Sequence, residues 1–108
     1  MSSVDLESRL NRNRGLVERM PDNHLARFGL ANALMEGSLW EEAAGHFRKC
    51  LASQPEWMAV AISLGRCLVE LRQGTEAREM LAAARRMAVA QGHTSPLEEI
   101  AALEARIT

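Results

Sequence analysis

Three histidines, two cysteines and two pairs of adjacent glutamates are the residues of this 108-residue chain best suited to catalysis or metal binding. A zinc site needs ligands at close, regular spacing, usually two to five residues apart within each half. His24, His46 and His93 are far apart and lack that spacing, so no metal site and no cofactor is expected. Cys50 and Cys67 fall where small apolar residues recur along helical stretches, the setting of a buried, inert thiol. Glu41/Glu42 and Glu98/Glu99 each follow a helix-start signal. Acids there are favoured by the helix dipole, which explains them without paired-carboxylate chemistry. Gly29, Gly37 and Gly45 are too dispersed for a phosphate-binding loop. No histidine, acid and nucleophile form a recognisable set, and the chain is not expected to be an enzyme.

Composition narrows the remaining classes. Apolar residues make up 47% and charged residues 25%, with a net charge of −1. A disordered chain would need fewer apolar residues and more net charge. Nucleic-acid binding draws much of its affinity from cations on phosphates, and no such excess exists, so no nucleic-acid partner is expected. Arg9, Arg12, Arg14 and Arg19 are interleaved with Asp5, Glu7 and Glu18, which reads as a solvated face. Apolar runs such as Trp57–Ile62 are far shorter than the ~20 residues that span a bilayer. Residues 1–7 place acids early and contain no apolar run, so neither a secretory leader nor a membrane partner is expected. Two cysteines make no disulfide framework, and the expected compartment is the cytoplasm.

The elements are helices. Alanine and leucine dominate, no stretch alternates with period two, and the 3.6-residue period recurs. Six helices are expected. The first covers about 4–20 and ends at Pro21, with Asn13 interrupting its apolar stripe and Gly15 weakening it. The second covers 23–36, with Gly37 as a left-handed C-cap. The third opens with a capping box at Ser38-x-x-Glu41 and ends before Pro55. The fourth runs from Pro55 or Glu56 to Leu71, and the fifth from Thr75 to Gln91, stopped by Gly92. The sixth opens with Ser95-Pro96-Leu97-Glu98, a capping box with proline at the first helical position. Loops of two to four residues make neighbours antiparallel.

The chain matches itself at one fixed offset. Pro21 aligns with Pro55, Leu30 with Leu64, Leu34 with Leu68, Glu42 with Glu76 and Ala43 with Ala77. Conservative pairs fill the gaps, including Phe28 with Ile62, Ala31 with Gly65 and Phe47 with Leu81. A 34-residue helix–turn–helix period with W-x2-L-G-x2-Y, A-x3-F and P is the tetratricopeptide pattern. Here the first unit reads Arg27-x2-Leu30-Ala31-x2-Leu34, Ala43-x3-Phe47, Cys50, Pro55. The second reads Ala61-x2-Leu64-Gly65-x2-Leu68, Ala77-x3-Leu81, Ala84, with Val89 in place of the closing proline. On these residues the chain resembles a tetratricopeptide repeat protein, of the small stand-alone bacterial kind with two repeats and flanking helices. Arg27 departs from the usual aromatic.

The resemblance implies an all-α solenoid forming one domain over 1–108. An N-terminal helix (4–20) precedes repeat 1 (23–54) and repeat 2 (56–91), and a capping helix (95–108) hides the last apolar face. It also implies that the first helix of each unit lines a concave groove. Helical spacing then puts Leu25, Phe28, Asn32 and Met35, with Ala59, Ile62, Arg66 and Val69, on that face. Such a face could hold a short peptide or partner segment, its apolar residues in contact and Asn32 and Arg66 orienting it. Phe28→Ala and Arg66→Ala would then weaken capture with the fold intact. The family's clamp for C-terminal carboxylates is incomplete: Asn32 matches, but Phe28 and Ser63 stand where the clamp carries lysine and asparagine. The expected function is a non-enzymatic protein-interaction module. The alternative is a homo-oligomer or homodimer whose exposed helix faces self-associate.

Overall fold

The computed structural model describes residues 3–107. They form six helices and no strand: α1 (Ser3–Arg19), α2 (His24–Glu36), α3 (Trp40–Ser53), α4 (Met58–Glu70), α5 (Gly74–Ala90) and α6 (Pro96–Ala105). Connections run from three to five residues, the longest being 91–95, so successive helices are antiparallel and alternate helices are parallel. α1 continues unbroken through Gly15. Asn13, out of place in its apolar stripe, donates from Nδ2 to the Gly29 carbonyl (3.4 Å) and ties α1 to α2.

Ion pairs reveal two layers. Arg14 on α1 meets Glu42 on α3 (3.1 Å), and Arg48 on α3 meets Glu76 on α5 (2.9 Å). Both partners of the first pair recur one repeat later in the second, so α1 occupies the place of a second helix of a unit, in one layer with α3 and α5. On the other side, Arg66 of α4 meets Glu99 of α6 (3.4 Å) and Arg106, just beyond α6, meets Glu70 of α4 (2.6 Å). Thus α4 and α6 share the other layer, and α2 joins it, with the Phe28 ring 4.6 Å from Trp57 at the start of α4.

Between the layers lies the apolar core. Leu30, Leu34, Phe47, Val60, Leu64 and Leu68 centre one cluster, and Ala61, Ile62, Leu81, Ala84, Ile100 and Leu103 a second beneath α6. Small residues let the backbones approach. An added Cβ at Gly65 would lie 2.5 and 2.9 Å from Leu81 side-chain atoms. No polar or charged residue is buried among the described residues, so close packing of apolar side chains supplies the stability.

The turns correct three sequence expectations. Gly37 is not left-handed (φ −84°). The left-handed residue is Ser38 (φ 60°), and Arg72 (φ 60°) repeats it at the same point of the second unit. Gly37 is small because a Cβ there would lie 2.9 Å from Leu6 of α1. Gly74 likewise faces Ile107, at 3.2 Å, after α6. The capping box at Ser38 does not form, since the left-handed turn moves the α3 N-cap to Leu39, which makes no side-chain cap bond. Nor does the box at Ser95, whose backbone is already helical (φ −61°, ψ −36°) and whose side chain makes no cap bond. α2 is capped instead by Asn23, which accepts from the Leu25 and Ala26 N–H groups (3.0 Å each).

Candidate functional site

The expected groove residues fall along one face of the α2–α4–α6 layer, at different depths. Leu25 projects from the first turn of α2, 64% exposed. Asn32, Met35, Arg66 and Val69 are half-buried, and Ala59 is exposed. Ile62 is only 7% exposed and packs in the cluster with Ile100 and Leu103. It is a floor residue. Arg66 donates from Nη2 to Glu99, so a partner carboxylate would have to compete with that of α6.

Phe28 is half-buried because it leans on two aromatics. Its ring centroid lies 4.6 Å from Trp57 with the planes tilted 37°, and 6.3 Å from Phe47 in an edge-on arrangement. His24 meets Trp57 edge-on at 5.6 Å. Truncating Phe28 therefore removes core packing as well as groove surface, which makes it a poor probe of the groove alone. Leu25 is the cleaner one.

Trp57 is the residue that helical face-counting missed. It is the N-cap of α4, outside the helical period, so an i, i+3, i+4 reading of α4 passes over it. Yet it walls a cleft of about 480 Å³ with His24, Leu25, Gln54, Pro55 and Glu56. A second cleft of about 390 Å³ opens on the other side of the α4 N-terminus. Met58, Ala59, Ile62 and Ser63 line it from α4, and Ser95, Pro96 and Glu99 from the start of α6. Two shallow hollows of mixed apolar and polar lining thus flank one helix start.

The remaining candidate groups are accounted for structurally. Cys50 and Cys67 are buried free thiols. Burial raises both above the usual thiol value, Cys67 to about 11, so neither carries appreciable thiolate at neutral pH. Among the described residues no group of three histidine, cysteine or acidic side chains could hold a metal ion. No described helix is long and apolar enough to cross a membrane.

His46 explains Arg27, which stands at the usual aromatic position. Arg27 Nη1 lies 2.9 Å from His46 Nδ1, and Nη2 donates to the Pro21 carbonyl (2.9 Å). The guanidinium can only donate, so Nδ1 accepts and the ring is neutral. Burial first, and the Arg27 charge second, hold the His46 pKa below 6.5. The unfolded chain therefore takes up this proton at higher pH than the folded one. Stability is full above pH 6.5 and falls as pH drops from there toward the folded-state value. Thermal melts across this window should show the loss, and His46→Asn should remove it.

The solved TPR2B-domain–pHsp70 complex of yeast Sti1 superimposes on this chain with a TM-score of 0.85. The match covers 96% of this chain and 83% of that one, at 20% sequence identity. The fold is that of a tetratricopeptide repeat domain. No protein-family model matches the sequence, and no curated protein matches it.

Proposed function

We propose that this tetratricopeptide domain is a non-enzymatic protein-interaction module that holds a short peptide or partner segment on its α2–α4–α6 face. In this reading residues 1–108 act as one domain, with repeat 1 at 23–54, repeat 2 at 56–91 and the flanking helices as caps. The observation that carries it is the pair of hollows around Trp57 and Met58, with Leu25 and Ala59 at their rims. Exposed apolar contact surface beside a rigid aromatic is what a binding site offers. The similar yeast domain was solved as a complex with pHsp70, which supports the same class of activity here.

The layer positions support an open face. α1 sits beside α3, in the other layer, and α6 extends the groove as a third first-type helix. Self-association through α1 is less well supported, because apart from Val4 its outward residues, Asp5, Glu7, Ser8, Asn11 and Arg12 among them, are polar. The expected compartment of action is the cytoplasm.

Leu25→Glu tests the reading. The side chain is mostly in solvent, so stability should change by no more than ~0.5 kcal/mol. Placing a charge in the apolar contact should weaken partner capture by roughly tenfold or more. Affinity measured beside a thermal melt separates the two effects. Unchanged affinity would remove Leu25 and its cleft from the binding surface.

A further inference from the structure

The charges around the two hollows select among partners. Each hollow is lined by one carboxylate and by no lysine or arginine: Glu56 beside Trp57, and Glu99 beside Ile62. The guanidiniums of this layer are already engaged within the chain, Arg66 with Glu99 and Arg106 with Glu70. Arg27 is committed to His46 and the Pro21 carbonyl. With Lys49 it lines a different hollow, shared with Asp22. Among the described residues the Glu56 carboxylate forms no ion pair, and Glu99 has a single 3.4 Å contact with Arg66.

We propose that the groove takes an apolar peptide segment that carries a basic residue. Its apolar side chains fill the hollows on either side of the α4 N-terminus, and its ammonium or guanidinium lies toward Glu56. The proposal rests on the groove reading above and adds the partner's charge. An acidic segment meets the Glu56 carboxylate and an Arg66–Glu99 pair that offers no net positive charge, and like charges brought together across an interface discriminate against the wrong partner. An uncharged apolar segment fills the hollows and leaves Glu56 unpaired. Glu56 is at the rim, where attraction of a lysine and repulsion of a glutamate are each weak and together correspond to a preference of about tenfold.

A matched set of labelled synthetic peptides tests this with the full chain. The peptides share one leucine spacing and carry lysine, glutamine or glutamate at the same flanking positions. Fluorescence anisotropy at low salt should rank them lysine, then glutamine, then glutamate, with about tenfold between the first and last. At ~1 M salt, where the screening length falls to ~3 Å, the three should converge. Glu56→Gln should narrow the lysine–glutamate gap. Glu99→Gln, which also releases Arg66, should narrow it further. Equal binding of all three at low salt, or tighter binding of the glutamate peptide, overturns the basic partner and leaves the groove standing. Binding of none of them overturns the groove reading as well.

Discussion

Phe47→Ala lowers the unfolding free energy by about 3–5 kcal/mol, the range for emptying a buried aromatic site. Phe47 is the largest fully buried side chain among the described residues. It lies in the cluster that joins α2, α3 and α4, and Phe28 packs edge-on against it. Its removal therefore opens a void and loosens the aromatic that supports Trp57. Domains of this size are stable by ~5–15 kcal/mol, so the variant loses a large share of its stability. Urea unfolding should show a lower midpoint with an unchanged slope. Phe47→Leu should lose much less, because Leu81 fills the matching position of the second unit.

The second large effect is a change of sign between two identical substitutions. Gly65→Ala should destabilise and Gly29→Ala should not. Both glycines are inside helices, where alanine is intrinsically better by ~1 kcal/mol. At Gly29 nothing lies within 4 Å of the added methyl, so the gain is realised. At Gly65 the methyl meets Leu81 at 2.5 Å, and Leu81 is fully buried, so its side chain moves only by displacing packed neighbours. Overpacking of this kind costs about 1–3 kcal/mol, which exceeds the propensity gain over most of that range. Paired thermal melts should move in opposite directions. A stabilised Gly65→Ala would mean that α4 and α5 are not in close contact there.

Much of this architecture was legible because the repeat writes packing into residue types. Leu30/Leu64, Leu34/Leu68 and Ala43/Ala77 recur at one offset, since the same helix crossing is built twice, and the offset alone locates both helix pairs. The turns were less legible. Ser38 and Arg72 take the left-handed position although neither is glycine, in turns closed by the Leu39 N–H on the Leu34 carbonyl (2.9 Å) and the Gln73 N–H on the Leu68 carbonyl (3.0 Å). The neighbouring Gly37 is small to admit Leu6 of α1. Such contacts join residues distant in sequence and leave no local signature. The same applies to Arg66, whose engagement with Glu99 depends on where α6 docks. Ile62 matched the groove period but sits on the floor, because α6 packs over one side of it.

Trp57 was hidden for a different reason. A helical period identifies faces within helices, and Trp57 belongs to the connection before α4. Its contacts with His24 and Phe28 form only when α2 and α4 lie side by side. Its indole is consequently the most informative reporter of the α2–α4–α6 face. The direct measurement is backbone and indole amide chemical-shift mapping while the lysine-flanked apolar peptide is titrated in. If the groove binds as proposed, the Trp57 indole N–H and the amides of Leu25, Asn32, Ala59 and Arg66 shift in a saturable manner. Shifts confined to α1, α3 and α5, or no saturable shift at Trp57, would contradict it.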